Sequence, residues 1–160
     1  MVILKETMVI IDGNSLMYRT FYGIRPMTSK RGVPTNAVYG FANILLNILE
    51  KHQPDYVGVA FDEKKPTIRH EKFDDYKAGR LKMPEDLVTQ LPLIHEMLDK
   101  LNIRRISLEG FEADDLIGTI SKTYSAEGIE VKILTGDRDA FQLVDDNINV
   151  LFTKKGISDV

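Results

Sequence analysis

The sequence predicts a single α/β domain, a layered sandwich built around a mostly parallel central sheet. Two patterns predict this class. Short runs rich in Val and Ile alternate with longer segments whose apolar residues recur at helical spacing. Strands that alternate with helices form parallel sheets joined by right-handed crossovers. The length agrees, because a chain of 160 residues forms one domain and buries roughly 68–70% of its unfolded surface.

Five short apolar runs are the predicted strands. They have the length and β-branched content of strands buried on both faces, and glycine or acidic residues bound them. They comprise residues 7–11, 56–61, 103–108, 129–134 and 148–152. We therefore expect a five-stranded core sheet.

Three segments between these runs predict amphipathic helices. They comprise residues 36–52, 84–101 and 112–127. Thr35 or Asn36 is the expected N-cap of the first helix, and Gly128 is a suitable C-terminal stop for the third.

The second and third helices carry more detailed expectations. Pro84 suits the first helical position, whereas Pro92 should kink or interrupt the second helix. The apolar spacing places Val88 and Leu101 on the inward face of the second helix, and Tyr124 on that of the third.

Composition excludes several classes of protein. The chain has no Cys, which excludes disulfide frameworks, zinc–thiolate sites, iron–sulfur clusters and thiol nucleophiles. It contains no G-x-G-x-x-G, P-loop or G-x-S-x-G motif, and its three histidines are scattered. No apolar run approaches the ~18 residues of a membrane span. Lys5 and Glu6 interrupt the first apolar run, so it does not resemble a signal peptide, and we expect a cytoplasmic protein with no membrane partner.

Acidic residues follow four of the predicted strands. Parallel sheets bind ligands beyond the carboxyl ends of their strands, so these side chains should meet at one edge. They are Asp12, Asp62, Glu112, Asp114, Asp115, Asp137 and Asp139. Two charges ~4 Å apart repel by about 4 kcal/mol at an effective dielectric constant of ~20. Such a cluster requires cations or protons, and a set of oxygen ligands without Cys or His favours Mg²⁺ or Mn²⁺ over zinc. A pair of these ions can hydrolyse a phosphodiester.

The segment from Lys64 to Lys82 is basic, although the whole chain has a net charge of −3. It contains seven Lys and Arg against three acidic residues, a local charge of +4, which leaves −7 for the rest. Tyr76, Lys77 and Arg80 combine an aromatic ring with two cations, as proteins that bind single-stranded nucleic acid do.

Seven stretches of the sequence match one family. They are IIDGNSLMYRTFY (10–22), AVYGF (37–41), AFDEKKPTIRHE (60–71), YKAGR (76–80), MPEDL (83–87), GFEADDLIGT (110–119) and LTGDRDAFQLV (134–144). The chain resembles the N-terminal 5′-nuclease domains of bacterial DNA polymerases I, in the flap-endonuclease group. The resemblance implies a PIN-like three-layer sandwich over residues 1–160, with a basic helical arch or loop at about 64–83. It also implies a bacterial, nucleoid-associated 5′-3′ exonuclease and flap endonuclease that acts in replication and repair.

The resemblance also implies a role for each candidate residue. Asp12, Asp62, Glu112 and Asp114 would hold a first metal ion, and Asp115, Asp137 and Asp139 a second, with either Asp114 or Asp115 bridging. Lys77 and Arg80 match cations that contact the scissile phosphate, whereas Tyr76 and Arg19 match residues near the DNA. The implied substrates are DNA with a 5′ flap or 5′ end and RNA primer–DNA junctions.

This sequence departs from the family at its C-terminal end. Family members continue into a G-D-x-S-D-N motif, a DNA-binding helical element and a polymerase portion, all beyond Val160. We therefore expect an incomplete second metal site, impaired cleavage and weak duplex affinity.

A PIN-like ribonuclease is an alternative function, but it would not need the basic segment. A non-catalytic nucleic-acid-binding module would not need Asp137 and Asp139.

Overall fold

Strands and helices alternate along the chain in the computed structural model, which describes residues 5–62, 83–153 and 158–159. The elements are β1 (Thr7–Asp12), α1 (Gly13–Gly23), α2 (Asn36–His52), β2 (Tyr56–Ala60), α3 (Glu85–Lys100), β3 (Arg104–Ile106), α4 (Ala113–Ala126), β4 (Glu130–Thr135), a 3₁₀ helix (Arg138–Leu143), β5 (Ile148–Phe152) and β6 (Ser158–Asp159). The predicted α/β class is confirmed.

One sheet contains all six strands, in the order β3-β2-β1-β4-β5-β6. β1 to β5 are parallel, and only β6, which pairs with β5, is antiparallel. The register pairs Asp12 with Ala60 and Ile11 with Leu134. β1, β2 and β4 therefore end at the same level, which brings the residues that follow them to one edge.

Helices cover both faces of this sheet, as a three-layer sandwich requires. Successive side chains of a strand point to opposite faces. Val9 and Ile11 accordingly pack with α1, α2 and α3, whereas Ile10 packs with α4. β1 is buried on both sides, so Asp12 at its end sits deep between the two helical layers.

A buried glutamine joins α2 to α3. Gln90 Oε1 accepts hydrogen bonds from the backbone N–H groups of Ala37 (2.7 Å) and Val38 (3.0 Å), and Gln90 Nε2 donates to Asn36 Oδ1 (2.9 Å). The first turn of α2 is thus capped from another helix. Thr35 is the N-cap by position, but its side chain makes no capping hydrogen bond.

Some expectations for α3 and α4 were wrong. Val88, Leu101 and Tyr124 are exposed by 50%, 45% and 37%. Gln90 occupies part of the buried face of α3, Leu101 lies beyond the last residue of α3, and Tyr124 is in the last turn of α4. α3 runs through Pro92 without interruption. Pro92 faces solvent, so water can satisfy the carbonyl that lacks an N–H partner.

Other differences concern elements that local patterns did not predict. The predicted strand 103–108 is only three residues long, since it forms an exposed sheet edge. α1, the 3₁₀ helix and β6 were not predicted. The basic segment, Lys64 to Lys82, lies outside the described residues, as does the expected arch up to residue 82. Within the described part of the chain, no helix is long and apolar enough to cross a membrane.

Candidate metal centre

Asp12 is the buried carboxylate of the site. It ends β1 and is the N-cap of α1, where Oδ1 accepts a hydrogen bond from the Ser15 N–H at 3.1 Å. Oδ2 accepts another from the Thr135 hydroxyl at 2.9 Å. The pKa of Asp12 is raised to about 6, chiefly by burial; the two hydrogen bonds oppose this shift, and the nearby charges of Asp62 and Asp114 add to it. Asp12 therefore carries its charge at neutral pH against a substantial desolvation penalty.

Asp62 is held between α1 and α4. Its backbone N–H donates to Asn14 Oδ1 at 2.8 Å, and its side-chain Oδ1 accepts from the Ala113 N–H at 2.6 Å. The free N–H groups and the dipole of a helix N-terminus favour an anion there. Asp62 is thus fixed beside the helix that carries Asp114 and Asp115.

The first turn of α4 arranges its own acidic residues. Asp115 Oδ2 accepts from the Glu112 N–H at 3.3 Å, and Asp114 Oδ1 accepts from the Asp115 N–H at 2.9 Å. Asp114 and Asp115 are exposed, whereas Glu112 is partly buried. Each of these two bonds holds one carboxylate oxygen against the backbone of the first turn.

The turn after β4 carries the remaining two carboxylates. Asp137 Oδ1 accepts from the Asp139 N–H at 2.9 Å, and the Gly136 N–H donates to Ser15 Oγ at 2.8 Å. A Cβ atom on Gly136 would lie 3.0 Å from Thr153 Oγ1 and 3.1 Å from Ser15 Oγ. Glycine lets this turn lie directly against α1, which brings Asp137 close to Asp12.

A cavity of about 570 Å³ unites most of these side chains. Five of the seven predicted carboxylates line it, namely Asp12, Asp114, Asp115, Asp137 and Asp139. Asp62 and Glu112 do not line it, although the charge of Asp62 acts on Asp12. In residues 5–62 and 83–153, no three acidic or histidine side chains stand close enough together to hold a metal ion in their present rotamers.

The predicted substrate-binding residues are only partly described. Arg19 donates from Nε to the Thr153 carbonyl oxygen at 2.6 Å, which fixes its guanidinium beside the end of β5. Tyr76, Lys77 and Arg80 lie outside the described residues.

Sequence reasoning missed two features of the site. Asn14 and Thr135 form hydrogen bonds with the carboxylate-bearing residues, and only their places in the matched motifs pointed to them.

Tyr18 and Tyr22 stack on α1, with ring centroids 6.3 Å apart and planes at 11°. Burial, together with Tyr22 and Asp62, raises the pKa of Tyr18, which places it near the site. The spacing of four residues between two aromatics was the available signal.

The chain is similar to known proteins over almost its whole length. Residues 7–159 match the family model described as 5′-3′ exonuclease, N-terminal resolvase-like domain. DNA polymerase I of Bacillus subtilis (strain 168) is 48% identical over 156 residues, which is 98% of this chain and 18% of that protein. The chain therefore spans about a fifth of the length of the curated relatives it matches.

Two solved structures share the fold. A bacteriophage T5 protein co-crystallised with metal ions superposes with a TM-score of 0.76 at 18% identity, over 96% of this chain and 57% of that one. The flap endonuclease of the same phage, in a complex with DNA and metal ions, gives a TM-score of 0.68 at 18% identity, over 96% and 57%.

Proposed function

Since the chain belongs to the 5′-3′ exonuclease N-terminal, resolvase-like family, we propose that it carries the metal-dependent centre of a 5′-3′ exonuclease and 5′-flap endonuclease. Its substrates are DNA with a 5′ flap or 5′ end and RNA primer–DNA junctions, and hydrolysis leaves a 5′-phosphate on the product. The observation that carries the proposal is the cavity at the sheet edge, which five carboxylates line. An edge so acidic suits cations better than it suits nucleic acid directly.

The donor set fits Mg²⁺ or Mn²⁺. All candidate ligands are carboxylate oxygens, which these hard cations prefer. Asp12 is buried with a raised pKa, so a bound cation would offset the penalty for its charge. Asp62, Asp114, Asp115, Asp137 and Asp139 are exposed, so an ion can reach them from solvent. Asp12, Asp62, Glu112 and Asp114 would hold the first ion, and Asp115, Asp137 and Asp139 the second.

Bound ions supply Lewis acidity to the scissile phosphodiester and to the attacking water. The chain itself supplies orientation. Backbone N–H groups of Ser15, Ala113 and Asp139 hold three of the carboxylates in fixed directions. Lys77 and Arg80 neutralise the scissile phosphate, Tyr76 and Arg19 contact the DNA, and the stacked Tyr18 and Tyr22 offer a flat apolar surface to unpaired bases.

The relatives are much longer than this chain, which supports a role for it as part of a larger protein. The chain acts with a C-terminal nuclease and polymerase portion, in the bacterial cytoplasm at the nucleoid. The basic segment, Lys64 to Lys82, holds the 5′ strand.

Cleavage of a labelled 5′-flap substrate in Mg²⁺ or Mn²⁺ tests the proposal. We expect the wild-type chain to release the flap with a 3′-hydroxyl and to leave a 5′-phosphate on the strand that remains in the duplex. Asp114→Ala should lose cleavage by about 10²-fold or more while it still binds the flap. Glu96→Ala, on the exposed side of α3, is the control and should cut normally. Metal-independent cleavage, or a wild-type chain that neither binds Mn²⁺ nor cuts, would overturn the proposal.

A further inference from the structure

The hydroxyl of Thr135 has two hydrogen-bond partners, both in the carboxylate site. Its Oγ1 lies 2.9 Å from Asp12 Oδ2 and 3.1 Å from the backbone N of Asp137. An ionised carboxylate can only accept, and an N–H can only donate. The single hydroxyl proton therefore points to Asp12, and the oxygen accepts from Asp137.

These two bonds connect carboxylates from distant parts of the chain. Asp12 ends β1, and Asp137 lies in the turn after β4. Thr135 is only 2% exposed, so water cannot replace its hydroxyl at Asp12 without rearrangement. With Ser15 N–H on Oδ1 and Thr135 on Oδ2, both oxygens of Asp12 have fixed directions.

We propose that Thr135 is a positioning residue for the metal centre, which holds Asp12 and the Asp137 turn in one arrangement. This inference rests on the proposed function, because it concerns how the divalent cation is bound. Hydrogen-bonded partners of metal ligands orient them, and their loss typically weakens metal binding by about 10–100-fold. Valine matches threonine in shape but would leave Asp12 Oδ2 and the Asp137 N–H without this partner.

Thr153 provides a matched control. It is also buried (3% exposed) and lies directly after β5, where its N–H donates to the carbonyl of Thr135 at the end of β4 at 3.2 Å. Its hydroxyl, however, has no hydrogen-bond partner among the described residues. Thr153→Val therefore makes the same chemical change at a neighbouring buried position without removing a hydrogen bond to a carboxylate.

The experiment is calorimetric titration of Mn²⁺ into the wild-type chain and into Thr135→Val, Thr135→Ser and Thr153→Val. Thermal unfolding of each metal-free protein is measured in parallel. We expect Thr135→Val to weaken Mn²⁺ binding by about 10-fold or more. Thr135→Ser, which keeps the hydroxyl, and Thr153→Val should bind as the wild type does.

Each result is decisive. Wild-type affinity in a folded Thr135→Val protein overturns the positioning role alone. An equal loss in Thr153→Val also overturns it, because general packing would then be the cause. Should Thr135→Val fail to fold, Thr135→Ser decides: retained affinity supports the role and a 10-fold loss overturns it. A wild-type chain that binds no Mn²⁺ overturns the proposed function as well.

Discussion

The Asp62 carboxylate accepts a hydrogen bond from the backbone N–H of Ala113 at 2.6 Å, which fastens the segment after β2 to the first turn of α4. Asp62 therefore has a structural role that is separable from its proposed role as a metal ligand. Capping bonds of this kind contribute about 1 kcal/mol.

Two substitutions at Asp62 separate these roles. Asp62→Ala should lower the free energy of unfolding of the metal-free chain by about 1 kcal/mol, because the Ala113 N–H loses its acceptor. Asp62→Asn keeps an amide oxygen there and should stay closer to wild type, although both variants should bind Mn²⁺ less tightly. Urea unfolding and calorimetry measure the two effects. Equal stability of the alanine variant and wild type would contradict the capping role.

Asp12 predicts a pH-dependent stability. Its pKa is about 6 in the folded chain against 3.8 as its ordinary value, and burial is the main cause. Between pH 3.8 and about pH 6, Asp12 is therefore protonated more often in the folded state than in the unfolded state. The free energy of unfolding falls as the pH rises through this window. The loss above pH 6 is about 3 kcal/mol, from roughly 1.4 kcal/mol per pKa unit.

Asp12→Asn should remove this dependence. In metal-free buffer at pH 7, the variant should be more stable than wild type by about 1–3 kcal/mol, since it avoids the buried charge. At pH 4 the two proteins should differ much less. Thermal unfolding at both values measures this, and a wild type that is the more stable protein at pH 7 would contradict it. Saturating Mn²⁺ should stabilise the wild type at pH 7 much more than the variant.

The close packing of α1 against α2 at Gly40 predicts that a larger residue at this position destabilises the chain. A Cβ atom there would lie 2.3 Å from Ile24 Cδ1 and 2.8 Å from Thr20 Cβ. Gly40→Ala should therefore destabilise the chain by about 1–3 kcal/mol. Gly118→Ala is the matched control in α4, where the nearest atom is Leu143 Cδ2 at 3.9 Å. It should stabilise the helix by roughly 0.5–1 kcal/mol, so chemical denaturation should move the two midpoints in opposite directions.

Gln90 predicts a large effect from a buried polar side chain. Gln90→Leu leaves the N–H groups of Ala37 and Val38 without their acceptor, and it should destabilise the chain by about 2–4 kcal/mol. Val88→Gln, on the solvent side of α3, should change stability by less than about 0.5 kcal/mol. Denaturation of both variants tests the observed orientation of α3, and the opposite ranking would contradict it.

Lys77 predicts a salt-dependent effect on DNA binding. If it contacts phosphate, Lys77→Ala should weaken single-strand affinity and reduce the magnitude of the log K against log[salt] slope by about 0.7. Lys100→Ala removes a lysine that pairs with Glu96 at 3.0 Å on α3, and it should leave the slope unchanged. Fluorescence anisotropy over a range of salt concentrations measures both. An unchanged slope for Lys77→Ala would mean that this side chain does not touch the strand.

Local sequence patterns predicted the central strands and the acidic edge well. β1, β2 and β5 are apolar over most of their length, and the register ends β1, β2 and β4 at the same level, which brings Asp12 and Asp137 to one edge. α1 was missed because Gly13, Asn14 and Ser15 are typical of a turn. Here Asp12 caps the helix, and the close approach of Phe61 favours glycine at position 13.

What the sequence could not predict depends on contacts between distant residues. Gln90 is polar in a predicted helix, and only its hydrogen bonds to α2 explain why it is buried while Val88 is exposed. The Thr135 hydroxyl likewise reaches Asp12 across 123 positions of sequence. Periodicity describes which face of an element is apolar, but it carries no information about such pairs.

The strand order has a consequence for how the protein is made on the ribosome. β1 leaves the ribosome before the other strands. Asp12 at its end, however, accepts a hydrogen bond from Thr135, which is synthesised 123 residues later. At about 5–20 residues per second, the Asp12 carboxylate waits on the order of ten seconds for its partner. During that interval the nascent chain exposes an apolar strand and an unfinished acidic edge. The carboxylate site is therefore complete only after β4 has joined β1 in the sheet.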